Sequence, residues 1–149
     1  MDCNVKVKKV AQGAIVPQRA TAGSAAADLY ALCPAEGVLL PAGGRAVLST
    51  GIAIELPGPG WVALVFGRSG LGIKRGITLS NSVGVIDSDY RGEIKVGLIN
   101  LSDEDYLVQN GERIAQLAVL PVAPAVFTLV DELGETARGE GGFGSTGRL

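Results

Sequence analysis

The feature that most constrains this chain is a period-two alternation of apolar residues, cut into short pieces by glycine and proline. Asn4–Val10 alternates valine with lysine, and Ala46–Leu56, Gly60–Phe66, Gly92–Asn100 and Arg113–Leu120 are runs rich in Val, Ile and Leu. Ala125–Val130 is a further short run. Alternation at every second residue puts apolar side chains on one face of an extended strand. Between the runs stand Pro41-Ala-Gly-Gly, Pro57-Gly-Pro-Gly and Asn110-Gly, which are turn formers. Short strands at about ten-residue spacing predict an all-β sandwich or barrel. Only Ser69–Arg75 has the makings of a short helix, with Ser69 as its cap. No long amphipathic pattern supplies the crossover helices of an α/β fold.

Composition removes several classes of function. The chain has 149 residues, the size of one domain. Its 13 basic and 15 acidic residues leave a net charge of −2, which lacks the basic footprint of a nucleic-acid or anionic-membrane binder. The absence of histidine excludes a Ser-His-Asp triad, a Cys-His dyad and any zinc site with a His ligand. Cys3 and Cys33 are too few for a four-Cys zinc site or a disulfide framework. Met1–Val10 lacks the apolar core of a secretion signal. Leu117–Val130 is too short to span a bilayer and contains Pro121 and Pro124. A cytoplasmic location is the expectation. Residues 1–130 read as a β-rich core, and 131–149, with six glycines, as a flexible arm. Extended, that arm reaches roughly 60 Å, far enough to touch a neighbouring subunit.

Three segments interrupt the β pattern with polar residues and glycine. Gly67-Arg-Ser-Gly-Leu-Gly72 follows a strand. Arg68 offers a planar donor fork and Ser69 a hydroxyl, and the glycines let backbone N–H groups approach an anion. Ser80–Gly92 carries Asp87 and Asp89, which share one side if the segment is extended. A carboxylate there suits a general base on water, and the Tyr90 phenol can pack flat on a sugar. A hairpin turn accounts for the same residues equally well, since Asp-Ser-Asp with a following glycine is good turn chemistry. Arg138–Gly147 joins phosphate-binding residue types, Arg138, Ser145 and Thr146, to a single aromatic, Phe143, in a glycine-rich tail. No Lys precedes the Ser-Thr pair, so it is not a Walker loop. Together these residues suit a phosphorylated, base-bearing small molecule, with Asp87 as base and Mg²⁺ held mainly by phosphates.

In this order, the three segments resemble motifs of the trimeric deoxyuridine triphosphate nucleotidohydrolases (dUTPases). Ala22–Tyr30 is similar to the family's first motif and Gly111–Leu117 to its fourth. The resemblance runs from about Val5 to Gly147. It implies a jelly-roll-like (β-clip) subunit with one short helix and a flexible glycine-rich arm. It also implies a homotrimer with sites at subunit interfaces, each closed by an arm. The implied reaction is Mg²⁺-dependent hydrolysis of dUTP to dUMP and pyrophosphate, which limits uracil in DNA and supplies dUMP for dTMP synthesis. By matching positions, Asp87 activates the attacking water. Asn81 and the backbone of Gly84, Val85 and Ile86 read the uracil edge, Tyr90 packs under the deoxyribose, and Phe143 stacks on the base. Arg68, Ser69, Gly70, Gln116, Arg138, Gly144, Ser145 and Thr146 hold phosphates. Asp28 is a candidate for an indirect place in the metal–water network, or for a structural acceptor. Gly67 stands where many members have proline.

Two alternatives come with the resemblance. A dCTP deaminase of the same fold class is expected to use a glutamate before the hairpin, yet Leu79–Ile86 holds no carboxylate. A non-catalytic trimer that senses dUTP needs the same pocket without turnover. No stable nucleic-acid or membrane partner is expected.

Overall fold

The computed structural model describes residues 3–142. Among them are β1 (Lys6–Lys9), β2 (Ala27–Tyr30), β3 (Val38–Leu40), β4 (Arg45–Ser49), β5 (Ile52–Glu55) and β6 (Trp61–Phe66). The helix α1 (Ser69–Arg75) follows, then β7 (Ile77–Leu79), β8 (Gly84–Ile86), β9 (Lys95–Asn100), β10 (Tyr106–Val108) and β11 (Arg113–Pro121). The main sheets run β2-β11-β6-β8 and β4-β9-β7, and two strand pairs, β1-β5 and β10-β3, complete the unit. Every pairing between these strands is antiparallel. The sheets stay open, so the fold is the jelly-roll-like all-β class and not a closed barrel.

The apolar side chains of the alternating runs make one aliphatic core. Leu29, Leu40, Ile52, Ile77, Leu98 and Ile114 are fully buried in it. Burying each such side chain contributes about 1.5–3 kcal/mol. Ala46–Leu56, which reads as one run, is two strands. The chain breaks at Thr50-Gly51, where Gly51 adopts φ 68°. A side chain at Gly51 would put its Cβ 2.6 Å from Leu32 Cδ2 and 2.7 Å from Ala14 Cβ, so only glycine fits the corner. That corner carries the chain from the β4–β9 pairing to the β1–β5 pairing.

Two expectations need correction. Ser69 is not the helix cap. Arg68 holds the N-cap position in extended conformation, without a side-chain cap bond, and Ser69 is the first helical residue. Ala125–Val130 forms no strand. Among the described residues regular structure stops at Pro121, and Val126, Phe127 and Leu129 are 91%, 94% and 98% exposed. A strand needs a sheet edge to pair its backbone, and within one chain this run lies against none.

One buried polar residue ties the second sheet to the loop beyond it. Asn100 is completely buried, and its Nδ2 donates to the Leu40 carbonyl at 3.1 Å and to the Glu104 carbonyl at 2.7 Å. Its Oδ1 accepts from Ser102 N at 3.0 Å and Ser102 Oγ at 2.7 Å. Asn100→Ala leaves the carbonyl of the fully buried Leu40 without this partner and releases the Ser102–Glu104 loop. Denaturant unfolding is expected to show a loss of about 2–4 kcal/mol.

Candidate active site

The segment after α1 reads as a hairpin but crosses between sheets. β7 pairs with β9, and β8 pairs with β6. Ser82 takes a left-handed φ of 65° in the connection. Gly84 lets β8 lie close on β6, since a Cβ there would sit 3.1 Å from Val65 Cβ. The crossing opens a cleft of about 460 Å³. Val65, Leu79, Asn81, Gly84, Val85, Ile86, Asp87 and Tyr90 line one part of it, and Glu93, Ile94, Lys95, Val96 and Gly97 the rest.

Asp87 directly follows β8 and begins a tight turn, in which Tyr90 N donates to the Asp87 carbonyl at 3.2 Å. Arg91 Nη1 braces this turn through the Ser88 carbonyl at 2.8 Å and the Tyr90 carbonyl at 3.0 Å. The turn overrides the extended geometry that would put both aspartates on one side. Asp87 is exposed on the cleft wall, and Asp89 does not line it. The Tyr90 hydroxyl donates to the Glu93 carbonyl at 3.0 Å, which folds the ring back over Gly92. Any Cβ at Gly92 would collide with that ring.

A second polar cluster forms where β2, β11 and β6 meet. Gln116 is opposite Asp28 on one side and Phe66 on the other. Arg68 Nε donates to Asp28 Oδ1 at 3.0 Å, and Arg113 Nη1 approaches Asp28 Oδ2 at 3.3 Å. Arg68 Nη1 also donates to the Arg113 carbonyl at 3.1 Å. Asp28 is mostly buried, so two cations in place of water stabilise its charge. Gln116 Nε2 donates to the Gly67 carbonyl at 3.0 Å and so ties down the turn in which Gly67 stands. Ser69 and Gly70 lie exposed in the first turn of α1. Behind the cluster, Glu112 accepts from the Tyr106 hydroxyl and, at 3.0 Å, from Gln109 N. Burial and that carboxylate push the Tyr106 phenol up to about 12.

The cleft therefore gathers Asn81, Gly84, Val85, Ile86, Asp87 and Tyr90, but not Arg68, Ser69, Gly70 or Gln116. Arg138 lies on the exposed tail, its Nε donating to the Gly141 carbonyl at 2.8 Å. Phe143, Gly144, Ser145 and Thr146 lie outside the described residues. Sequence reading missed the wall from Glu93 to Gly97. Its only signal was the alternation of β9, which is the pattern of any half-buried strand. Among the described residues, no three Cys, Asp or Glu side chains come together as a metal cage.

The sequence and the fold both have known relatives. The dUTPase family model matches residues 12–147. A deoxyuridine 5′-triphosphate nucleotidohydrolase of Desulfitobacterium hafniense is 54% identical over 132 residues, covering 89% of this chain and 87% of that protein. The protein of the same name from Burkholderia cenocepacia is 46% identical over 148 residues and covers 99% of both chains. The structure of Staphylococcus bacteriophage 80alpha dUTPase with dUPNHPP superposes with a TM-score of 0.86 at 28% identity, covering 97% of this chain and 98% of that one. A family model spanning nearly the whole chain, close relatives and a shared fold carry one conclusion: this chain belongs to the dUTPase family.

Proposed function

We propose that the protein hydrolyses dUTP to dUMP and pyrophosphate at the β8 cleft. The observation that carries this reading is the convergence of an amide, an edge strand, a carboxylate and a phenol ring in one cavity. Among the described residues β8 is the outermost strand of its sheet, with one edge unpaired. Unpaired N–H and C=O groups there can bond a uracil edge as they would another strand, with the Asn81 amide beside them. The Tyr90 ring takes the deoxyribose and leaves no space for a 2′-hydroxyl. At the mouth, Asp87 accepts a proton as the water oxygen bonds to the α-phosphorus. The bond from that phosphorus to the bridging oxygen breaks, and pyrophosphate leaves with the electron pair. Asp87 contributes mainly by holding and orienting the water.

The phosphate-binding candidates Arg68, Ser69, Gly70 and Gln116 do not share the cleft of their own chain. They serve the same substrate if a second copy presents them, which is the reason to propose a homotrimer with sites at its interfaces. The bare apolar run Val126, Phe127 and Leu129 supports the same assembly, because a neighbour's surface would take it out of water. Arg138, Ser145 and Thr146 hold the γ-phosphate and Phe143 covers the base as the tail closes. Asp28 acts by aiming Arg68. Its carboxylate faces two arginines, so Mg²⁺ fits this site as an ion carried by the triphosphate and water rather than by a protein cage. Bound that way, it withdraws charge from the phosphates. A cytoplasmic place, limiting uracil in DNA while supplying dUMP, follows from this activity.

Incubation with dUTP, dCTP, dTTP and UTP in Mg²⁺ tests the reading by chromatography of the products. dUTP alone is expected to give dUMP and pyrophosphate, and EDTA to slow it. Ammonia from dCTP would mark a deaminase, and dUTP binding without turnover a sensor.

A further inference from the structure

We propose that the Thr50-Gly51 corner between β4 and β5 sets the sugar selectivity of the site by positioning Tyr90 through Glu93 and Ile94. The proposal rests on the reading of Tyr90 as the surface under the sugar. Tyr90 is 46% exposed, so packing alone does not hold its ring. Its hydroxyl is anchored on the Glu93 carbonyl at 3.0 Å. The ring is therefore placed only as well as Glu93 is placed.

Glu93 and Ile94 precede β9 and are fixed from across the molecule. Gly51 N donates to Glu93 Oε1 at 2.8 Å, and Ile94 N donates to the Ile52 carbonyl at 2.8 Å. The Thr50 hydroxyl, only 2% exposed, donates to the Ile94 carbonyl. Three bonds thus clamp two residues to one corner, more than 40 positions away in the chain. The left-handed Gly51 turns its N–H out of the sheet ladder and toward the Glu93 carboxylate. Glu93 is a handle with two ends: its side chain grips the corner, and its carbonyl grips Tyr90.

Such a linkage matters most for the substrate that has to be rejected. A deoxyribose tolerates a ring displaced by a fraction of an ångström. A 2′-hydroxyl is excluded only while the ring stays where it is. Loosening the corner therefore admits UTP faster than it slows dUTP.

The test is the ratio of kcat/KM for UTP to that for dUTP. The fraction of folded enzyme cancels in this ratio. Glu93→Ala and Thr50→Val are expected to raise it about tenfold, since small misplacements are costly in a fitted site. Glu93→Gln and Thr50→Ser, which keep an oxygen acceptor and a hydroxyl, are expected to stay within about twofold of wild type. If Thr50→Val does not fold, Glu93→Ala decides alone. A flat ratio in Glu93→Ala, or an equal rise in Glu93→Gln, overturns the proposal. Wild-type protein that does not hydrolyse dUTP would instead bring down the functional reading.

Discussion

Asp87→Asn is expected to lower kcat on dUTP about a thousandfold, within the usual range for loss of a general base. The substitution is nearly isosteric. The bond that shapes the local turn uses the Asp87 main-chain carbonyl and not its side chain, so the cleft is retained. An amide can still contact a water but cannot take its proton. It also removes a negative charge from beside a triphosphate, so dUTP binding is expected to hold or tighten. Calorimetry with a non-hydrolysable analogue and single-turnover kinetics separate the two effects. Undiminished turnover would remove Asp87 from the mechanism. A fall in binding equal to the fall in rate would recast it as a substrate contact.

Deleting residues 138–149 is expected to leave a folded oligomer and to lower kcat/KM about a hundredfold or more. Among the described residues the buried core ends at Leu117 and sheet pairing at Pro121, well before the cut. The proposed interface run, Ala125–Val130, also survives this cut. What is lost is the proposed grip on the γ-phosphate, from Arg138 onward, and the closure that excludes water. Binding energy from a remote phosphate is realised at the reacting phosphorus, so the rate suffers as well as the affinity. The preference for dUTP over dUDP should fall in parallel. Sedimentation reports the assembly and steady-state kinetics the rate. A truncated protein as active as the full chain would refute the role of the tail.

The candidate site was legible in the sequence where it is local. Asn81, Gly84–Ile86, Asp87 and Tyr90 lie within ten residues, and turn chemistry already holds them near one another. Even there the geometry was misread in two places. The segment looks like a hairpin because two apolar runs flank a polar turn, but β7 and β8 join different sheets. Asp87 and Asp89 have the spacing of one strand face, but a turn separates them. The run Ala125–Val130 has strand composition without a strand, because hydrogen-bonding partners are not a property of the run itself.

The all-β class is written in the chain itself, because alternation and turn residues act over a few bonds along it. The chemical inventory was equally legible: no histidine, two carboxylates (Asp87 and Asp89) in the Ser80–Gly92 segment, and arginines near glycine turns. Which residues meet is set by the folded arrangement. The Asp28 contacts with Arg68 and Arg113 span 40 and 85 positions, and the Gly51–Glu93 bond spans 42. Such pairs depend on sheet register and on the corner at Gly51. Both are settled by the packing of the whole core, since shifting a strand by one residue would turn its apolar face to water.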